Sequence, residues 1–86
     1  MRVVYSKEFL KAVADLPTQI QSRLDERIAL LTEDPFHPLL HSKRLKGILK
    51  DYHSFRITRE WRAIFSLADS DTIMLVNVAH RKDLYR

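Results

Sequence analysis

Three runs near the C-terminal end decide the fold: Tyr52-His-Ser-Phe-Arg-Ile-Thr58, Trp61-Arg-Ala-Ile-Phe-Ser-Leu67 and Thr72-Ile-Met-Leu-Val-Asn-Val-Ala-His80. Each is rich in β-branched and aromatic residues. Thr58-Arg59-Glu60 joins the first two and Ala68-Asp-Ser-Asp71 the last two, and links this short force antiparallel neighbours. Alternation in the second run sends Trp61, Ala63, Phe65 and Leu67 to one face and Arg62, Ile64 and Ser66 to the other. The first set reads as core, shared by Phe55 and Ile57, which leaves Ser54 and Arg56 on the opposite face. The third run is apolar on both faces until His80, the pattern of a central strand.

Upstream, Arg2-Val-Val-Tyr5 is a short β-rich run. Ser6 then offers an N-cap, with Glu8 in the first turn of a helix. Phe9, Leu10, Val13 and Leu16 fall at helical spacing, and Pro17 ends the pattern. From Thr18 a second helix, with Ile20, Leu24, Ile28 and Leu31 on its apolar stripe, runs to about Glu33. Asp34-Pro35-Phe36-His37-Pro38 cannot continue it, because each proline removes a donor and biases its predecessor to extended geometry. The expected architecture is α+β, in the order β-α-α-β-β-β, with a helical hairpin packed on an antiparallel sheet. Residues 1–86 are expected to form a single domain, since a chain of this length has room for only one thin core.

The absence of cysteine excludes a disulfide framework and thiolate metal sites. The N-terminus has no long apolar stretch, and no apolar run approaches the ~20 residues of a membrane span, so a cytoplasmic location is expected and a membrane partner is not. The net charge of +4 hides an asymmetry. Residues 1–42 sum to −1, whereas residues 43–86 carry ten Lys or Arg against five acidic residues. A split of this kind points to a polyanionic partner on one face.

On that face the loop sets the pairing. A three-residue loop at Thr58–Glu60 places Arg56 directly across from Arg62; a two-residue loop pairs Arg56 with Trp61 instead. Like charges directly opposite are destabilising, and an anion between them relieves this, so two guanidiniums on a rigid sheet suit a phosphate. His80-Arg-Lys-Asp-Leu-Tyr-Arg86 then crowds an imidazole, cations and an aromatic hydroxyl at the end of the last strand. Cleavage of RNA by its own 2′-hydroxyl needs a base, an acid and cations at the phosphate, and these residue types can supply them without a metal. Lys43, Arg44, Lys46, Lys50, Lys82 and Arg86 are read as RNA-binding charges that add affinity. His37 and His41 are four apart, but Pro38 lies between them, so no metal site and no cofactor are expected.

The residues Leu45-Lys-Gly47, Tyr52, Phe55-Arg-Ile57, Trp61-Arg-Ala-Ile-Phe65 and His80-Arg-Lys-Asp-Leu-Tyr-Arg86 resemble the RelE/ParE superfamily of bacterial toxins, over nearly the whole chain. The resemblance implies a microbial-RNase-like fold and a type II toxin held inactive by a cognate antitoxin. In the RelE branch it implies a metal-independent endoribonuclease that cuts mRNA on the ribosome; in the ParE branch it implies a non-nuclease that inhibits DNA gyrase. A degenerate toxin kept for operator regulation is a third possibility. For the ribonuclease, the resemblance implies a catalytic set of Arg56, Arg62, His80 or Arg81, and Tyr85, with Glu60 added from the YafQ-like branch. Thr58 stands where RelE itself has a second basic residue, and His80 to Tyr85 is one residue longer than the YafQ-like spacing. On this reading Arg62→Ala is expected to abolish cleavage with the fold intact.

Overall fold

The computed structural model describes residues 1–84. Eight elements follow one another: β1 (Arg2–Tyr5), α1 (Lys7–Ala14), α2 (Thr18–Glu33), β2 (Lys43–Arg44), β3 (His53–Arg56), β4 (Trp61–Asp69), β5 (Thr72–His80) and the short α3 (Arg81–Leu84). Single 3₁₀ turns occupy Pro38–Leu40 and Gly47–Leu49. The expected α+β architecture is present, with the two helices on one face of the sheet.

The sheet has five strands in the order β1-β5-β4-β3-β2. Two features go beyond the expected pattern. β2, only two residues long, extends the sheet at one edge, with Lys43 opposite Ser54 and Arg44 opposite His53. At the other edge β1 runs parallel to β5, with Arg2 opposite Thr72 and Tyr5 opposite Leu75. β4 is therefore the middle strand and β5 an interior one, which explains why β4 is buried on both faces from Arg62 to Phe65.

The register of the β3–β4 hairpin is the one set by a three-residue loop, with Arg56 paired to Arg62. Inside that loop the Thr58 hydroxyl accepts the backbone N–H groups of Glu60 and Trp61, each at 3.3 Å. A hydroxyl here closes the turn, which a lysine or arginine could not do because neither has an acceptor.

Ser6 performs two tasks. Its Oγ accepts from Phe9 N at 3.0 Å, capping α1, and donates to Val76 O at 2.7 Å. Val76 lies where the β4–β5 register shifts, between the pairs Ile64–Asn77 and Phe65–Leu75. The hydroxyl thus satisfies a carbonyl at the bulge and pins the start of α1 to β5. Pro17 gives α2 no side-chain cap. Gln21 ties the helices together instead, its Nε2 donating to Val13 O at 2.7 Å and to Leu16 O at 3.2 Å, at and just beyond the last turn of α1.

Phe9, Leu24 and Leu31 from the helices, with Leu16 between them, meet Phe55, Ala63, Phe65, Ile73, Leu75 and Val78 from the sheet and Ile57 just past β3. Full burial of each large side chain contributes about 1.5–3 kcal/mol. Leu10, read as part of the apolar stripe, is more than half exposed. Leu40 is fully buried and anchors the segment between α2 and β2 to the same core. Among the described residues no helix is long and apolar enough to cross a membrane.

Candidate nucleic-acid interface

Cross-strand pairs share a face, so the register sorts the candidate residues. Phe55, Ala63 and Val78 point to the helices, and two residues on, Trp61 and His80 pair on that same face. Arg56, Arg62 and Ala79 point the other way. There the end of the sheet opens into a cleft of about 420 Å³ lined by His41, Lys43, Arg56, Arg59, Arg62 and Arg81. No carboxylate is among the described lining residues. A recess with so many cations and low-dielectric walls concentrates positive potential and draws in anions.

Arg56, Arg59, Arg81 and Lys43 are exposed. Arg62 is not: only 4% of its surface is accessible. Its Nε donates to Ser54 Oγ at 2.8 Å and its Nη2 donates to His41 O at 2.6 Å and Ser54 O at 3.2 Å. The expected pairing of Arg56 and Arg62 therefore holds, but the two do not play equal parts. Arg56 projects into the cleft, whereas Arg62 is built into its floor, fastening β3 and the segment before β2 to β4. Hydrogen bonds to three fixed oxygens offset part of the cost of burying this second guanidinium beside a like charge.

The remaining residues of the expected set separate. Arg81 lines the cleft, and its backbone N–H donates to Glu60 O at 2.7 Å, which locks the start of α3 to the β3–β4 loop. Glu60 contributes that carbonyl, while its side chain is not among the lining groups. His80 lies on the helix face, its ring edge-on to Trp61 at 5.3 Å with an interplanar angle of 72°. Its Nδ1 accepts from Lys82 N at 3.3 Å, which assigns the proton of the neutral ring to Nε2. Of the alternatives His80 or Arg81, the backbone brings Arg81 to Arg56 and sets His80 apart. Tyr85 and Arg86 lie outside the described residues.

Of the expected RNA-binding charges, Lys43 is in the cleft. Arg44 and Lys46 border a neighbouring groove of about 590 Å³, whose floor includes Leu45, Leu49 and Leu84. Arg44 is held there by a hydrogen bond from Nε to Lys50 O at 2.8 Å. Lys50 and Lys82 are exposed. Sequence reasoning missed Arg59 and His41 as cleft residues. Arg59 was within reach, since the middle residue of a three-residue hairpin loop next to two arginines falls beside them. His41 gave no such signal, because nothing in the pattern of residues 34–42 places them against the sheet. Among the described residues no group of three or more His, Asp or Glu is placed to hold a metal ion.

One histidine near the interface is perturbed. His53 pairs with Phe65 on the helix face, stacked at 5.4 Å, with Phe36 edge-on at 5.5 Å. Its Nδ1 is shut off from solvent without a hydrogen-bond partner among the described residues. Burial, and after it the neighbouring Arg44 charge, holds its pKa below the ordinary histidine value.

Solved structures share this fold of a helical hairpin on a sheet. The YafQ structure from E. coli strain BL21(DE3) superposes with a TM-score of 0.80 at 19% identity, covering 100% of both chains. The YoeB/ParE toxin from Agrobacterium tumefaciens gives 0.78 at 20% identity over 93% of this chain and 98% of that one. The RelB-RelE antitoxin-toxin complex from Methanococcus jannaschii gives 0.74 at 25% identity over 95% and 94%. A search of curated proteins gives no match. Residues 3–85 match the model of the ParE toxin of type II toxin-antitoxin systems, parDE, and the chain belongs to that family.

Proposed function

We propose that this toxin is an endoribonuclease that cuts mRNA on the ribosome, that residues 1–86 act as one domain, and that a cognate antitoxin holds it inactive. The cleft carries the reading: five guanidinium or ammonium side chains converge with no carboxylate in the described lining, a setting suited to a phosphodiester and hostile to a divalent cation. In this mechanism Arg56 and Arg81 stabilise the charge that builds on phosphorus as the 2′-oxygen attacks. Arg62, fixed by Ser54 and His41, holds the floor of the cleft and adds its charge from below. Lys43 and Arg59 steer the strand, with Arg44, Lys46, Lys50 and Lys82 extending the basic surface. The solved complexes of RelE with RelB and of YafQ with DinJ support an antitoxin partner of the same kind.

The family match favours a second reading, in which the protein inhibits DNA gyrase and the basic face serves protein contact. Primer extension on mRNA translated in the presence of the purified toxin separates the two. Cuts in frame with codons are expected. Intact mRNA together with arrested gyrase supercoiling overturns the ribonuclease reading.

A further inference from the structure

We propose that His41 is the general base of the cleft, the group that takes the 2′-hydroxyl proton of the RNA. This inference rests on the ribonuclease reading and adds a residue outside the set that the family resemblance implies.

The argument begins with what the lining can do. Guanidinium groups do not release a proton in proteins, and the other cation present, Lys43, has a side chain that acts as a point charge. Imidazole is the one side-chain type whose unperturbed charge changes between about pH 5 and 8, and His41 is the one histidine among the described lining residues. His80 cannot take its place from the other face of the sheet, where it packs on Trp61.

The second observation is the backbone. His41 has φ 47° and ψ 45°, and it is the only non-glycine described with positive φ. A side chain in this region is strained and persists only where the surroundings over-determine it. They do so here. Leu40, just before it, is fully buried; Ser42, just after it, donates from Oγ to Pro35 O at 2.7 Å; and His41 N donates to Pro38 O at 3.3 Å. The carbonyl of His41 accepts from Arg62 Nη2 at 2.6 Å. The residue bearing the imidazole is thereby fixed to the floor of the cleft, among Lys43, Arg56, Arg59, Arg62 and Arg81.

The step balances without a further reactant. Neutral His41 accepts the proton of the 2′-hydroxyl, the 2′-oxygen bonds to phosphorus, and the bond from phosphorus to the 5′-oxygen breaks. The products are a 2′,3′-cyclic phosphate and a 5′-hydroxyl whose proton comes from solvent water, and His41 returns its proton to solvent.

The test compares wild type, His41→Asn and His41→Gly in single-turnover cleavage of mRNA on programmed ribosomes from about pH 5 to 8. Asparagine tolerates the left-handed backbone and keeps the carbonyl that holds Arg62; glycine relieves the strain altogether. The wild-type rate is expected to rise with pH and level off. His41→Asn is expected to be at least about 100-fold slower with that rise abolished, and free imidazole is expected to restore cleavage by His41→Gly. Variants that cut at the wild-type rate, or slowly with the wild-type pH profile and no rescue, overturn the assignment and leave the ribonuclease reading standing. A wild-type protein that does not cut removes both.

Discussion

Arg62→Ala is the perturbation with the most to say about how this cleft is built. The side chain is almost fully buried and donates to Ser54 Oγ, Ser54 O and His41 O. Hydrogen bonds from a charged donor contribute about 1.5–3 kcal/mol each, and truncation removes that donor from buried acceptors. Water entering from the cleft recovers part of this, so the expected loss is about 3 kcal/mol, against the ~5–15 kcal/mol available to a small domain. Urea unfolding followed by circular dichroism is the assay; with a slope near 1 kcal/mol/M the midpoint falls by about 3 M. A double-mutant cycle with Ser54→Ala, which removes one end of the bond between side chains, is expected to show a coupling of about 1–2 kcal/mol. An unchanged midpoint for Arg62→Ala, or strict additivity in the cycle, refutes the clamp. The variant is thus expected to stay folded with a reduced margin of stability, so its cleavage assay is to be read beside its urea midpoint.

Arg56 behaves oppositely. Because it faces Arg62 and shares the cleft with Arg59 and Arg81, Arg56→Gln is expected to raise the urea midpoint slightly at low salt while weakening RNA binding. In a salt titration its log–log binding slope flattens by about 0.7, the value of one lost phosphate contact with a single strand. His53 gives a pH dependence of known sign. Its folded pKa lies below the unfolded value, so the unfolded chain binds the proton more readily; stability is full above about pH 6.5 and falls as pH drops towards the folded pKa. His53→Phe, which keeps a ring on Phe65, is expected to flatten thermal midpoints over that range, and an unchanged slope refutes the assignment.

Much of the fold was legible because the sheet repeats with period two and the helices with period 3.6. The bounds of α2, β4 and β5 follow from apolar spacing and from Pro17, whereas the sequence left two loop lengths open at Thr58–Glu60, and only the register pairs Arg56 with Arg62. What escaped was non-local. Two residues at Lys43–Arg44 show no alternation, and parallel pairing of β1 with β5 is recorded in neither strand alone. The site suffered similarly. Alternation along β4 placed Arg62 on the side of Arg56, yet only the packing of residues 34–42 decides that one is floor and the other exposed. His80 and Arg81 are neighbours in sequence, and a single step along the chain put one on each side of the sheet.

The pairing of β1 with β5 also determines when the molecule can exist. The bond from Ser6 Oγ to Val76 O joins residues 70 apart, and Arg2 N reaches Asp71 O over a similar separation. Contacts this distant along the chain come late in folding, after the entropy of closing the intervening loop has been met. During synthesis the first strand therefore waits beside an unfinished sheet until β5 has been made. Arg81 follows later still, so the cationic cleft is among the last parts of the protein to form. Until then the nascent chain carries the charges of a toxin without the shape that gathers them.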